Sequence, residues 1–218
     1  KRRGKYLLLE SSNENLIIHL GMSGSLRIAR EDNLKKHDHI DICFEDGTIL
    51  RYCDPRRFGC FLWSKDIDKH FLLKNLGPEP LGNSFSGDYL FYKSRKRKVP
   101  IKNFIMNSKV VVGVGNIYAS EALFAAGIRP SSLAGKVPRK KYDLLAKEIV
   151  YILRKSIEEG GTTLRDFVGG DSKPGYFKQS LRVYGREGEE CYECFSIIKG
   201  KRIGQRASAY CPKCQSNF

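Results

Sequence analysis

Short apolar runs broken by turn residues fill the first sixty or so positions of the chain: Tyr6 to Leu9, Leu16 to Leu20, Leu26 to Ile28, Ile40 to Phe44, Thr48 to Tyr52 and Cys60 to Trp63. Their brevity and partial alternation predict the strands of a β-sandwich or barrel. Glu45-Asp46-Gly47 marks a hairpin between two of them. With a period of two, Ile40, Ile42 and Phe44 share one face, expected to be buried, while Asp41 and Cys43 point the other way. The breaker-rich stretch Leu76-Gly-Pro-Glu-Pro-Leu-Gly-Asn-Ser-Phe-Ser-Gly87 closes this region. A first domain is therefore expected over residues 1–86.

A basic run, Lys93-Ser-Arg-Lys-Arg-Lys98, follows, and residues 87–100 read as a solvated basic linker. From Ile101 the texture becomes helical: Ile101 to Asn107, Asn116 to Ala126, and Arg139 to Glu159, where Leu145, Ile149, Ile152 and Leu153 recur on one face. Gly127 and Gly160-Gly161 punctuate the helix ends. In Val110-Val-Val-Gly-Val-Gly-Asn116 two glycines make a tight connection, and Asn116 fits an N-cap whose free N–H groups can hold a phosphate. A corner that merely packs is the plainer reading of the same spacing. The glycines lack a full dinucleotide fingerprint and follow a helix rather than a strand, so a Rossmann reading is poor.

Near the C-terminus, Cys191-Tyr-Glu-Cys194 and Cys211-Pro-Lys-Cys214 form two C-x-x-C pairs separated by sixteen residues, the ligand set and spacing of a structural zinc ribbon holding one Zn2+ ion. The insert is long enough for one β-hairpin, which carries Gln205-Arg206. Of the seven cysteines the other three, Cys43, Cys53 and Cys60, are expected to be core thiols. Nothing resembles a secretory signal, so a reducing, cytoplasmic setting is expected.

Charge narrows the choice of partner. Against 24 Asp plus Glu stand 39 Lys plus Arg, a net +15, which favours a polyanion and nucleic acid first. No apolar run approaches membrane-spanning length, and no strongly basic amphipathic helix is evident, so no membrane partner is expected. Asp54-Pro-Arg-Arg-Phe58-Gly59 offers cations beside an aromatic on a turn, suited to phosphates, base edges and wedging between bases. His19-Leu-Gly-Met22-Ser-Gly24 supplies a second apolar tip on a glycine-flexed loop. A packed corner for Phe58 and a core filler for Met22 are the plainer readings of each loop taken alone. Lys35-Lys-His37-Asp-His39 has too few ligands nearby for a metal and reads as DNA-facing or surface.

These segments in order, with Val112-Gly-Val-Gly-Asn-Ile-Tyr-Ala-Ser-Glu121, Gly160-Gly-Thr-Thr-Leu-Arg-Asp-Phe167 and Pro174-Gly-Tyr-Phe177, resemble the bacterial formamidopyrimidine-DNA glycosylase family. The resemblance implies an α+β protein: an incomplete N-terminal β-sandwich, a helix–two-turns–helix domain over residues 101–182 with a lesion-capping loop, and a zinc ribbon over 183–218. It implies a monomeric, nucleoid-associated base-excision enzyme that removes 8-oxoguanine and formamidopyrimidines from duplex DNA and cleaves the strand by β,δ-elimination. Met22 and Phe58 would fill the gap left by the extruded base while Arg56 contacts the orphaned cytosine. Lys5, His37, Arg97, Lys102, Asn116 and Arg206 would contact phosphates, with Lys5 also serving β-elimination and Arg206 δ-elimination. The glycine-rich segment 168–175 would close over the purine.

The family's nucleophile is an N-terminal proline amine followed by a glutamate general acid, and the sequence opens at Lys1 on the strand bearing Lys5. The 218 residues alone are therefore expected to bind DNA and to excise poorly. Asn107 stands where many family members carry Asp. Alternatives are the endonuclease VIII branch, which takes oxidised pyrimidines, and a non-enzymatic zinc-ribbon DNA-binding protein. A ribosomal or polymerase ribbon fits the charge and cysteines, but not the loop pair.

Overall fold

The computed structural model describes residues 1–30, 33–161 and 181–218. The chain divides into two compact units, one built on Lys1–Lys74 and the other on Asn75–Lys155 with Ser180–Phe218. The architecture is α+β: sheets in the first unit, helices and a ribbon hairpin in the second.

In the first unit β1 (Arg2–Arg3), β2 (Tyr6–Glu10), β3 (Asn15–His19) and β7 (Cys60–Ser64) form an antiparallel sheet in the order β1-β2-β3-β7. β4 (Ser25–Ala29), β6 (Ile49–Cys53) and β5 (Asp38–Cys43) form a second, in the order β4-β6-β5. Ile17 and Ile18 lie at the centre of the first sheet with no exposed surface. The Tyr52 ring of the second sheet lies 4.7 Å from the Phe61 ring of the first, so the inner faces meet there as in a sandwich.

The predicted face of β5 has the expected parity but not the expected burial. Ile40 pairs in register with Tyr52, and Ile42 with Leu50, so all four share the inner face. Yet Ile40 and Phe44 are exposed, and so is Ile28 across from Leu50. The two-residue period decides which way a side chain points; whether it is covered depends on what lies opposite, and on this sheet Tyr52 is covered while Ile40 and Ile28 are not. On the outer face Arg51 is fully buried because its guanidinium grips Asp41 through two 2.7 Å bonds and reaches the Asn33 carbonyl at 3.0 Å. Cys43 is exposed rather than a core thiol, because its side of β5 faces outward; Cys53 and Cys60 are half-buried.

The second unit contains α1 (Gly87–Ser94), α2 (Ile101–Met106), α3 (Asn116–Ala125), a 3-10 turn (Ala134–Lys136), α4 (Arg139–Glu158) and the antiparallel hairpin β8 (Lys199–Ile203) and β9 (Arg206–Tyr210). Leu90, Ile101, Ile105, Leu123, Leu145 and Ile149 are completely or almost completely buried. α1 occupies the segment expected to be a linker. Ser86 caps it by accepting from the Tyr89 N–H at 3.1 Å, and Leu90 anchors it in the core. The basic run beyond it is not uniformly solvated: the Arg95 guanidinium lies 4.0 Å over the Phe91 ring and donates to the carbonyls of Phe91, Ala134 and Val137. Arg97, two residues on, is exposed. α3 is buried on nearly every side, with Ala119, Ala122 and Leu123 fully enclosed and Phe124 almost so. Among the described residues no helix is long and apolar enough to cross a membrane.

Candidate nucleic-acid interface and metal centre

Each unit presents its own candidate surface. In the first, the His19–Gly24 loop and the turn after Asp54 lie against one another. Gly21 has φ +68°, and a Cβ there would sit 2.6 Å from the Phe58 carbonyl carbon, so only glycine lets the two backbones approach this closely. Asp54, fully buried, ties them together. Its carboxylate accepts from the Ser23 hydroxyl at 2.6 Å, the Tyr52 hydroxyl at 2.8 Å, and the N–H groups of Gly59 and Arg56 at 2.9 and 3.2 Å. Burial alone would raise its pKa, but these four donors outweigh it and hold the group well below the usual carboxylate range. Burial and this same carboxylate push the Tyr52 hydroxyl well up.

The braced loops expose their apolar tips, Met22 at 69% and Phe58 at 62%, with the Arg56 guanidinium 5.8 Å from the Phe58 ring centre. Both plainer readings therefore fail: neither tip is packed, and two large apolar side chains stand in solvent on touching loops. Beside Met22 a cavity of about 270 Å3 is lined by Lys5, Arg2, Leu7 and His19. The His19 ring lies 4.9 Å from the Tyr6 ring, tilted 50° to it, and accepts the Gly21 N–H on Nδ1 at 3.0 Å. Burial and the nearby Lys5 hold its pKa down, so it sits neutral beside the ammonium. His37 is half-buried at φ +76° with its carbonyl accepting the Asp54 N–H, and its ring lies 6.5 Å from His39.

In the second unit the four cysteines of the two C-x-x-C pairs converge. Their sulfurs lie within 4.8 Å of one another, with Cys191 to Cys214 at 3.9 Å and Cys194 to Cys211 at 3.4 Å. Four thiolates around one tetrahedral ion at about 2.3 Å stand roughly 3.8 Å apart, so the quartet fits a metal. The Ser196 hydroxyl and N–H hold the Cys194 thiol down at about 6, while burial raises Cys211 and Cys214. A cation among them reverses that rise, which couples metal binding to proton release. Cys191 and Cys211 also pack with Phe124, Val183, Ile198 and Ala209, joining the cluster to α3.

The hairpin between the cysteine pairs carries Arg206 on the first residue of β9, exposed, with its guanidinium 3.8 Å from the Met106 sulfur. Lys102 is instead fully buried, its ammonium donating to the Ala207 carbonyl at 3.0 Å and the Ser208 hydroxyl at 2.8 Å. Burial and the neighbouring Arg206 charge lower it to about 8. Asn116 is the first helical residue of α3, with Gly115 rather than Asn116 at the cap; the cap stands one residue earlier because the extended backbone ends at Gly115. Its amide nitrogen reaches the same Ala207 carbonyl at 3.3 Å, and its Oδ1 is buried with no hydrogen-bond partner among the described residues. Residues 168–175, expected to close over a base, lie outside the described residues, as do most of the 160–167 and all of the 174–177 motifs.

Asp54, Ser23, His19 and Ser208 were not singled out from sequence. Asp54 had a readable signal as the first residue of a turn motif, where an Asp side chain bonds the main chain just beyond it. Ser23 and Ser208 had none, since each acts through a partner far away in the chain.

Paired antiparallel sheets whose loops expose apolar tips, a helical unit and a four-thiol ribbon, on a strongly basic chain, define a nucleic-acid-binding class of protein. The model described as "Formamidopyrimidine-DNA glycosylase N-terminal domain" matches residues 1–61, and that described as "Formamidopyrimidine-DNA glycosylase H2TH domain" matches residues 76–168. The chain belongs to the formamidopyrimidine-DNA glycosylase family. It is 58% identical to the Formamidopyrimidine-DNA glycosylase of Stutzerimonas stutzeri over 216 residues, covering 99% of this chain and 80% of that protein. The Salmonella arizonae protein of the same name is 55% identical at the same coverage. A Lactococcus lactis Fpg variant solved with DNA containing Fapy-dG superposes with a TM-score of 0.92 at 35% identity, covering 100% of this chain and 81% of that one. MutM in complex with DNA containing carbocyclic 8-oxo-G gives 0.90 at 35% identity, with 100% and 80% covered.

Proposed function

We propose that this protein removes oxidised purines, 8-oxoguanine and formamidopyrimidines, from duplex DNA and cleaves the resulting abasic strand. The observation that carries the reading is the pair of exposed apolar tips on loops locked by Asp54. A base must leave the stack to reach a catalytic pocket, and rigid wedges fill the gap it leaves. Met22 and Phe58 supply the wedges, and Arg56 offers its planar fork of donors to the cytosine opposite. Lys5, His37, Arg97, Asn116 and Arg206 contact phosphates, with Lys5 serving β-elimination and Arg206 δ-elimination. The net charge of +15 supports a polyanionic partner of this kind.

The metal is one Zn2+ ion held by Cys191, Cys194, Cys211 and Cys214. Bound there it supplies folding free energy to the ribbon and no bond-breaking chemistry, because all four positions are taken by sulfur. The protein acts as a monomer in the cytoplasm, at the nucleoid.

Excision and strand scission test the reading when measured on duplexes carrying 8-oxoguanine or thymine glycol, with a full-length chain that carries the family's N-terminal proline and glutamate ahead of these 218 residues. A clear preference for 8-oxoguanine is expected. Preference for thymine glycol would move the protein to the pyrimidine-specific branch, and binding without scission of either would leave a DNA-binding module.

A further inference from the structure

Lys102 lies at the second position of α2 with no exposed surface, and an ammonium is costly to bury without strong acceptors. Its acceptors belong to the ribbon. Nζ donates to the Ala207 carbonyl and the Ser208 hydroxyl, and that hydroxyl, on a residue only 3% exposed, donates onward to the Arg206 carbonyl at 3.3 Å. Asn116, from α3, donates to the same Ala207 carbonyl. The hairpin turn is also seated on α2: Gly204 has φ +54°, and a Cβ there would come within 2.4 Å of the Asn103 amide. Two successive carbonyls, those of Arg206 and Ala207, are thus held from the helices while the Arg206 guanidinium remains exposed.

We propose that Lys102 and Ser208 are positioning residues, a buried latch that fixes the main chain of β9 so that Arg206 is aimed, and that Lys102 itself touches no phosphate. This rests on the duplex-binding reading for its purpose, though not for its geometry. A long flexible cation tip loses entropy when it pairs with a phosphate, and fixing its backbone beforehand lowers that loss. Lys102 then acts on DNA only through Arg206.

A double-mutant cycle separates the latch from a direct contact. Binding to a duplex containing a tetrahydrofuran abasic analogue is measured across a salt series for the unmodified protein, Lys102→Met, Arg206→Ala and the double variant. Arg206→Ala should weaken binding by about tenfold, the worth of one charge-assisted contact. Lys102→Met should weaken it several-fold in the unmodified background and leave it unchanged in the Arg206→Ala background. Equal weakening in both backgrounds, with the salt slope falling by about 0.9 for one lost phosphate contact, would overturn the latch. Ser208→Ala should reproduce Lys102→Met in milder form and Ser208→Thr should restore binding, since Thr keeps the hydroxyl; failure of Thr to rescue counts against the relay.

The free protein supplies a readout without DNA: 15N relaxation at Arg206 should show a more mobile backbone in Lys102→Met and Ser208→Ala, with the metal retained. Unchanged mobility sinks the latch whatever the binding data. If mobility rises but Arg206→Ala binds duplex normally, the latch stands and the duplex-binding role of this tip falls.

Discussion

At the loop pair, Met22 and Phe58 stand out from turns that hang on one buried carboxylate; at the ribbon tip, Arg206 stands out from a strand that hangs on one buried ammonium. Asp54 accepts from side chains and main-chain N–H groups of two loops, whereas Lys102 donates to a carbonyl and a hydroxyl of one strand. The choice follows from what each backbone leaves unpaired. Tight turns leave N–H groups pointing inward, and these call for an acceptor; β9 turns carbonyls towards the helices, and these call for a donor. In both places an exposed side chain stands on a backbone that a buried polar group of opposite demand holds. The ribbon has a second support that the loops lack, the cysteine quartet beyond the far end of its hairpin.

That second support yields the largest expected effect. Cys194→Ser leaves three thiols around the ion, so the ribbon should lose metal and structure together. Metal content should fall, and duplex affinity should drop by at least about tenfold, the worth of Arg206's charged contact alone. The urea midpoint of the sheet unit should hold, because its braces involve none of these thiols. A variant that binds DNA normally without metal would break the comparison, leaving the helices as the ribbon's sufficient support.

Removing the carboxylate comes next. Asp54→Ala strands two hydroxyls and two N–H groups inside the loop pair, at a cost of about 3 kcal/mol, with loss of duplex binding as the tips lose their common anchor. The same group predicts an acid limit. Its pKa is held below its unfolded value of about 3.9, so its stabilisation is fully present above that pH and is lost as pH falls below it. Asp38 is held down likewise, chiefly by the Arg27 guanidinium, and adds to the effect. Urea midpoints taken from pH 7 down to pH 3 should fall below about pH 4 for the unmodified protein and less steeply for Asp54→Ala. A cost under about 1 kcal/mol would mean that the Gly21 contact alone sets the loops.

The residues that face outward were the legible ones. Met22, Phe58, Arg56 and Arg206 sit in local motifs, and the cysteine pairs announce themselves by spacing, because chemistry confined to a few consecutive residues leaves a pattern in sequence. Strands and the later helices were placed closely: Ile101 to Asn107 was expected where α2 runs Ile101–Met106. The struts were not legible. Ser23 meets Asp54 and Lys102 meets Ser208 across long stretches of chain, and no period or spacing encodes such a pair. α1 was missed for a different reason: Tyr-Leu-Phe-Tyr offers strand-like propensity, and one capping serine with one buried Leu90 decides for helix. Ile40 and Phe44 show the converse, where periodicity gave the face and the covering layer decided burial.

The smallest expected effect on stability is also the sharpest use of the comparison. If contact and support are separate, then cutting a tip should damage binding while leaving the fold alone, the reverse of cutting only what holds it. Phe58 is 62% exposed, with the Arg56 guanidinium 5.8 Å from its ring centre, so Phe58→Ala removes only a minor share of a side chain's burial. The urea midpoint should change by less than about 1 kcal/mol equivalent, a third or so of the worth of a fully buried aromatic. Affinity for an abasic duplex should nonetheless fall by about tenfold or more, since stacking an aromatic on a base is worth about 1–3 kcal/mol. The loss should hardly change with salt, because no phosphate contact is removed, whereas the loss in Arg206→Ala should change with salt. If Phe58→Ala instead destabilises the unit by as much as Asp54→Ala, the ring is part of the brace and the division between tip and strut does not hold in the sheet unit.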